Sequence, residues 1–390
     1  MKKMKVLMLS LVFLLSFRLP LRAEEGKILR IGLMTGYSLD RIQVTNAKGP
    51  FRIKAPGAEN VFASGHVVEI LPAGDLVSIH FRGRQTMRGS SFKLIDASID
   101  TPGLPWRRYA GEILVRCESG KLSLCNEVPL EDYLASVVSN ETEPKWPLEA
   151  LKCQAVIARS FALASLSQHS KHRGFDLCDL TDCQVYHGLG ARNPAVEKAV
   201  RETRGQVLSY QNRPALTLYH STCGGTRVPN NVIFGGSALS YLRGGQDGEK
   251  KVLCRESPHF GPWQVSLSSS ELAKAFEMEK LEAISLERLP SGYAKKVSLR
   301  GNPSKKLDAY PFWLKLGTSF GWGEVKSLNF SIKKEGERFV ITGRGMGHGV
   351  GLCQWGARKM ALEGSNYRKI LNYYFPGTAL VPSSRLEASR

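Results

Sequence analysis

The chain has 390 residues, 42% of them hydrophobic, and a formal charge of +19. That length accommodates two or three domains, and the apolar content is ordinary for a globular protein, which excludes a wholly disordered chain. The basic balance attracts polyanions, yet no C2H2 spacing, RRM aromatic motif or basic zipper is present, so nucleic acid is not the expected partner.

Residues 1–23 have the layout of an export signal. "MKK" supplies charge, Val6–Phe17 is an apolar core of 12 residues, and "RLPLRA" leads to Glu24. The apolar run is short for a membrane span. Ala23 suits cleavage but Leu21 is not small, so removal and retention as an anchor both stay open. Without these residues the charge is +14, because five positives and no acids are lost. The expected location is outside the cytoplasmic membrane, in the periplasm or cell wall.

From 27 to 110, and on to about 125, short alternating runs such as "HVVEILPAGDLVSIHF" and "EILVRCESGKLSLCNEV" predict strands and hairpins. Two helices follow. Leu130, Tyr133, Leu134, Val137 and Val138 form an i, i+3, i+4, i+7, i+8 stripe behind Pro129. The second helix starts at Pro147 and is small or apolar nearly all round from Ala155 to Ala164, which predicts burial. Arg159 in its middle then requires an anion, from a side chain or a ligand. A short helix is expected over 193–203, then a strand at "QVLSY". Residues 262–340 read as an inserted α+β segment whose helix is capped within "SLSSSELAKAF". The tail "SNYRKILNYYFPGTAL" predicts an amphipathic helix stopped by Pro376 and Gly377. The expected class is mixed α+β: a β-rich region at 27–110, an α/β core at 111–261 and 341–385, and the inserted lobe at 262–340.

Four stretches carry chemistry. "SVVSNETEPKWPLEAL" holds Glu141, Glu143 and Glu149 around a helix break; a carboxylate near a helix C-terminus is disfavoured by the dipole and either faces water or has a raised pKa. "YHSTCGG" brings together His220, Ser221 and Cys223, but neighbours on a strand face opposite ways, so no nucleophile pair follows. His172, Cys178 and Cys183 have spacing for zinc, or the two cysteines form a disulfide. "GRGMGHGVGLCQWGA" fits neither the dinucleotide fingerprint nor a P-loop. It reads as a tight strand turn, with His348 as a satisfied polar group, or as a ligand site. Gln354 and Trp355 suit a sugar, an amide for hydroxyls and a ring for a pyranose face.

"VPLEDYL", "WPLEALKCQAVIARSFAL", "CDLTDCQVYHG", "YHSTCGG" and "GRGMGHGVGLCQWGA", in this order, resemble the SpoIID/LytB family over roughly residues 110–380. That resemblance implies a peptidoglycan lytic transglycosylase acting between N-acetylmuramic acid and N-acetylglucosamine on peptide-stripped glycan, leaving 1,6-anhydro ends. The alternative it implies is a non-catalytic wall-binding amidase enhancer, with an amidase or septal protein as partner. It places the catalytic acid on Glu141, with Glu143 as an atypical neighbour. It assigns His220, Ser221, His348, Gln354 and Trp355 to substrate, and makes Arg159 a candidate partner of the lactyl carboxylate or of Glu141 itself. It also implies a structural zinc on His172, Cys178 and Cys183, with Asp182 or His220 as fourth ligand, and no cofactor for catalysis.

Overall fold

The computed structural model describes residues 26–101, 103–143, 145–167 and 172–386. The expected export segment at 1–23 lies outside the described residues.

The chain is a mixed α+β protein with a β-rich N-terminal region. Two sheets build that region, antiparallel except where Leu177–Cys178 pairs parallel with Ile28–Leu33. One sheet runs Leu177–Cys178, Ile28–Leu33, Lys121–Pro129, Glu112–Glu118, Ser91–Ile95, Phe51–Ala55 and Ala58–Phe62. The other orders Arg107–Arg108, Ser98–Asp100, Ile42–Thr45, Val68–Ala73, Leu76–Phe81 and Arg84–Gly89. Strand Lys121–Pro129 alternates buried and part-exposed positions along its whole length, as a sheet with one covered face requires. Its end at Pro129 feeds directly into helix α1 (Leu130–Glu141), whose five stripe residues are all buried.

Helix α2 (Leu148–Ser167) follows after a short break. It is the seam of the molecule. Ala150, Leu151, Ala155, Ala158 and Ala162 belong to the core shared with the N-terminal sheets and α1. Cys153, Val156 and Ile157 belong to a second core that takes in the C-terminal half. A helix buried on opposite faces has to be apolar all round, which explains its composition. Helix α3 (Pro194–Glu202) starts with the Asn193 side chain accepting from the Ala195 N–H at 2.9 Å, a side-chain N-cap. Helix α4 (Asn230–Phe234) is a single turn.

Residues 262–340 add two three-stranded sheets and helices α5 (Ser269–Ala275) and α6 (Ala309–Phe320). One of these sheets is completed by strand Arg338–Arg344. At α5, Ser268 Oγ accepts from the Glu271 N–H at 3.1 Å, and Glu271 Oε2 accepts from the Ser268 N–H at 2.7 Å. This is a full capping box at the start that the sequence signalled. Trp263, Leu272 and Phe312 join the same buried cluster as Tyr241, Leu352 and Phe375, so the inserted segment has no separate core. Helix α7 (Gln354–Leu362) begins where the glycine-rich stretch ends, and α8 (Tyr367–Tyr374) is capped by Asn366. No helix among the described residues is long and apolar enough to cross a membrane.

Candidate functional site

The three glutamates of the helix break have different fates. Glu149, in the first turn of α2, accepts from Lys152 Nζ at 2.9 Å and from the Tyr367 N–H at 2.8 Å, so it ties α2 to the start of α8. Glu143 is exposed. Glu141, the last residue of α1, is half-buried, and its Oε1 accepts from the Val185 N–H at 3.0 Å. Burial drives its pKa above the ordinary carboxylate value, against the opposing pull of hydrogen bonds from Val185 and the Tyr219 hydroxyl. Desolvation penalises the charged form, and the two donors restrain that penalty.

A buried relay orders this carboxyl. The Tyr133 hydroxyl donates to Gln184 Oε1 at 3.2 Å, and Gln184 Nε2 donates to the Tyr219 hydroxyl at 3.2 Å. The Tyr219 hydroxyl, whose oxygen accepts from Gln184, acts as the donor that restrains the rise in the Glu141 pKa. Tyr219 and Gln184 were not singled out from the sequence. Tyr219 stood next to His220 in "YHSTCGG"; the opposite faces of a strand carry one residue toward Glu141 and the other away from it.

Gln354 closes the same corner from 213 residues away in sequence. Its Nε2 donates to the Glu141 carbonyl at 2.9 Å, satisfying one of the acceptors that α1 leaves open at its end. Trp355 beside it stands edge-on to Trp146 at 5.6 Å, with the Arg358 guanidinium 4.9 Å from its ring centre. Ser221 is held by its backbone, whose carbonyl accepts from the Trp355 N–H at 3.2 Å.

The parallel pairing of Tyr219–His220 with Leu352–Cys353 brings the glycine-rich stretch to this corner. Gly351 has φ +77°, and a Cβ there would overlap the Leu218 carbonyl oxygen; only glycine serves at both counts. His220 is buried, with Nδ1 on the Val350 carbonyl at 3.1 Å and with Nε2 lacking any partner among the described residues. Burial and the neighbouring His348 push its pKa down to about 3. His348 packs edge-on to His220 at 5.5 Å and accepts the Val350 N–H on Nδ1 at 3.1 Å. Its burial lowers its pKa to about 4. Both imidazoles are therefore neutral at pH 7.

Arg159 is elsewhere. It is fully buried; Nε and a terminal nitrogen grip the Glu131 carboxylate at 2.9 and 2.7 Å, and the other terminal nitrogen donates to the Gln206 carbonyl at 3.1 Å. The anion its position required is Glu131, not Glu141 and not a solvent-facing ligand.

His172, Cys178, Asp182 and Cys183 converge, with their donor atoms all within 4.8 Å of one another and His172 Nε2 3.2 Å from Cys183 Sγ. One imidazole, two sulfurs and a carboxylate fit tetrahedral zinc. His220 is not in this group. Asp179, in the same segment, faces away and accepts the Met34 N–H at 2.7 Å.

Comparison with known proteins accords with this geometry. A family model described as stage II sporulation protein, SpoIID, matches residues 118–210, which include Glu141 and the His172–Cys183 group. An uncharacterised protein of Brachyspira hyodysenteriae is 31% identical over 358 residues, covering 89% of this chain and 94% of its own length. The chain belongs to the SpoIID/LytB family. Further relatives of this SpoIID/LytB chain are the amidase enhancer of Bacillus subtilis, 28% identical over 63% of the chain, and the stage II sporulation protein D of that organism, 27% identical over 65%. The match spans 40% of the amidase enhancer's length and 74% of the sporulation protein's.

Proposed function

We propose that this SpoIID/LytB protein acts on the bacterial cell wall, as a lytic transglycosylase that cleaves peptide-stripped glycan strands with Glu141 as acid and then base. The observation that carries the reading is the Glu141 carboxyl, raised in pKa by burial and oriented by Val185 and Tyr219. Its protonated form donates to the glycosidic oxygen as the bond to the muramic C1 breaks. The resulting carboxylate takes the proton of the muramic 6-hydroxyl as that oxygen bonds to C1, and an anhydro ring closes. One carboxyl serves both steps, unlike the pair used in hydrolysis. Trp355 supplies a ring beside it, whereas the Gln354 amide, buried and bound to the Glu141 carbonyl, positions the acid instead of meeting the sugar.

The charge of +14 beyond residue 23 suits glycan that carries one lactyl carboxylate per muramic residue. Its expected place is outside the cytoplasmic membrane. His172, Cys178, Asp182 and Cys183 would hold a structural zinc. Cys183 precedes Gln184 and Val185, so a metal there would stiffen the segment that orients Glu141.

The relative named amidase enhancer favours a second reading, a wall-binding protein without its own cleavage activity. Incubating purified protein and its Glu141→Gln variant with peptide-free glycan separates the two. The enzyme reading expects anhydro-muramic products by mass spectrometry from the wild type alone. Glycan binding with no products supports the second reading, and products from the variant at the wild-type rate remove Glu141 from its role.

A further inference from the structure

A second cluster of ligand-type side chains lies behind the candidate site. Cys223 follows strand Tyr219–His220, Asp247 and Cys254 come from the segment between α4 and the inserted lobe, and Cys353 immediately precedes α7. All four are fully buried, and their Sγ and carboxylate atoms lie within 4.8 Å of one another.

The geometry is that of a metal cage rather than a cross-link. Cys223 Sγ and Cys254 Sγ are 3.5 Å apart. A disulfide needs about 2.05 Å. Two sulfurs of a tetrahedral site with Zn–S bonds of about 2.3 Å sit about 3.8 Å apart. Backbone N–H groups point at the sulfurs: Cys223 donates to Cys353 Sγ at 3.4 Å and Gly225 to Cys223 Sγ at 3.3 Å. Such donors favour thiolates. Asp247 Oδ1 is held by the Tyr374 hydroxyl at 2.8 Å, with Arg227 Nε 3.9 Å away. Asp247 Oδ2 is buried and has no hydrogen-bond partner among the described residues. A carboxylate oxygen so placed costs free energy unless something unseen satisfies it. Gly356 of α7 packs against this pair, and a Cβ there would overlap the Tyr374 hydroxyl and sit 2.8 Å from Asp247 Oδ2.

We propose that Cys223, Asp247, Cys254 and Cys353 bind one divalent metal ion, zinc by the softness of three thiolates with one carboxylate, in a closed structural site. The ion satisfies Asp247 Oδ2. It offsets part of the charge of three thiolates and a carboxylate, and Arg227 offsets a further part. It ties the start of α7, hence Gln354, to the segment after His220. Four protein ligands leave no open position for chemistry. The inference is independent of the glycan-cleavage reading and of the His172 group.

The test uses the full chain with Cys178→Ser and Cys183→Ser, which removes the thiols of the other group and leaves this cluster intact. Purified in zinc-containing buffer and dialysed, the variant is expected to retain one zinc per chain. Loaded with cobalt alone, it is expected to show tetrahedral visible bands and thiolate charge-transfer absorption. Tyr374→Phe in that background is expected to weaken zinc binding roughly 10- to 100-fold, as loss of a ligand-orienting hydrogen bond does. A folded variant that holds no zinc and gives no cobalt–thiolate bands overturns the proposal. Should that variant not fold, the wild type decides by alkylation in denaturant with chelator and no reductant. Reaction of Cys223, Cys254 and Cys353 together with two zinc ions released per chain supports the cage, and their reaction with no zinc released, or a Cys223–Cys254 disulfide in the peptide map, overturns it.

Discussion

Replacing Arg159 by methionine keeps most of the side-chain volume and removes the charge. Glu131, whose side chain is 23% exposed, loses a bidentate partner, and the Gln206 carbonyl loses a donor. Breaking a buried pair by deleting one member costs about 3–5 kcal/mol, because the remaining charge stays desolvated. One stranded carbonyl adds about 1–3 kcal/mol. The expected loss is at least about 3 kcal/mol, a factor of roughly 150 in the folding equilibrium, read by urea unfolding. Adding Glu131→Leu removes the stranded charge. The double variant is then expected to be more stable than Arg159→Met alone, with a coupling of about 2 kcal/mol or more. Glycan affinity of whatever folded protein remains is expected to be unchanged, since the guanidinium faces no solvent. A single variant within about 1 kcal/mol of wild type but with weakened glycan binding refutes this account.

Two more outcomes follow from the site. Tyr219→Phe removes a donor that favours the charged form of Glu141, so the carboxyl pKa rises further and the proton that the proposed cleavage needs is kept to higher pH. The alkaline limb of the cleavage-rate profile is expected to move upward; an unmoved limb detaches Tyr219 from Glu141. Gly351→Ala forces a side chain into positive φ against the Leu218 carbonyl, and a loss of at least about 1–3 kcal/mol in thermal unfolding is expected.

What the sequence could tell depended on how local each signal was. The stripe from Leu130 to Val138 and the cap at Ser268 are written within a few residues, and the helices they predict are present. Arg159 announced that an anion was needed but not that Glu131, 28 residues earlier, would supply it. Helix α6 was passed over between strands, although Ala309, Phe312, Trp313 and Leu316 are a helical stripe. Helix α7 was hidden because the alternating glycines before it dominated the pattern. The relay of Tyr133, Gln184 and Tyr219, and the cluster of Cys223, Cys254 and Cys353, join positions from distant segments. No spacing rule connects them, since tertiary packing, including the pairing of Tyr219–His220 with Leu352–Cys353, brings them together.

The bond from Gln354 to the Glu141 carbonyl also sets an order of events. The ribosome makes Glu141 long before Gln354, and Tyr219 lies between them. A nascent chain that has emerged only through α2 carries the acid without the tyrosine that orients it or the amide that closes its helix end. Chains cut short before residue 354 leave the Glu141 carbonyl without that donor. On the proposed reading, cleavage of glycan would wait until nearly the whole chain has been made.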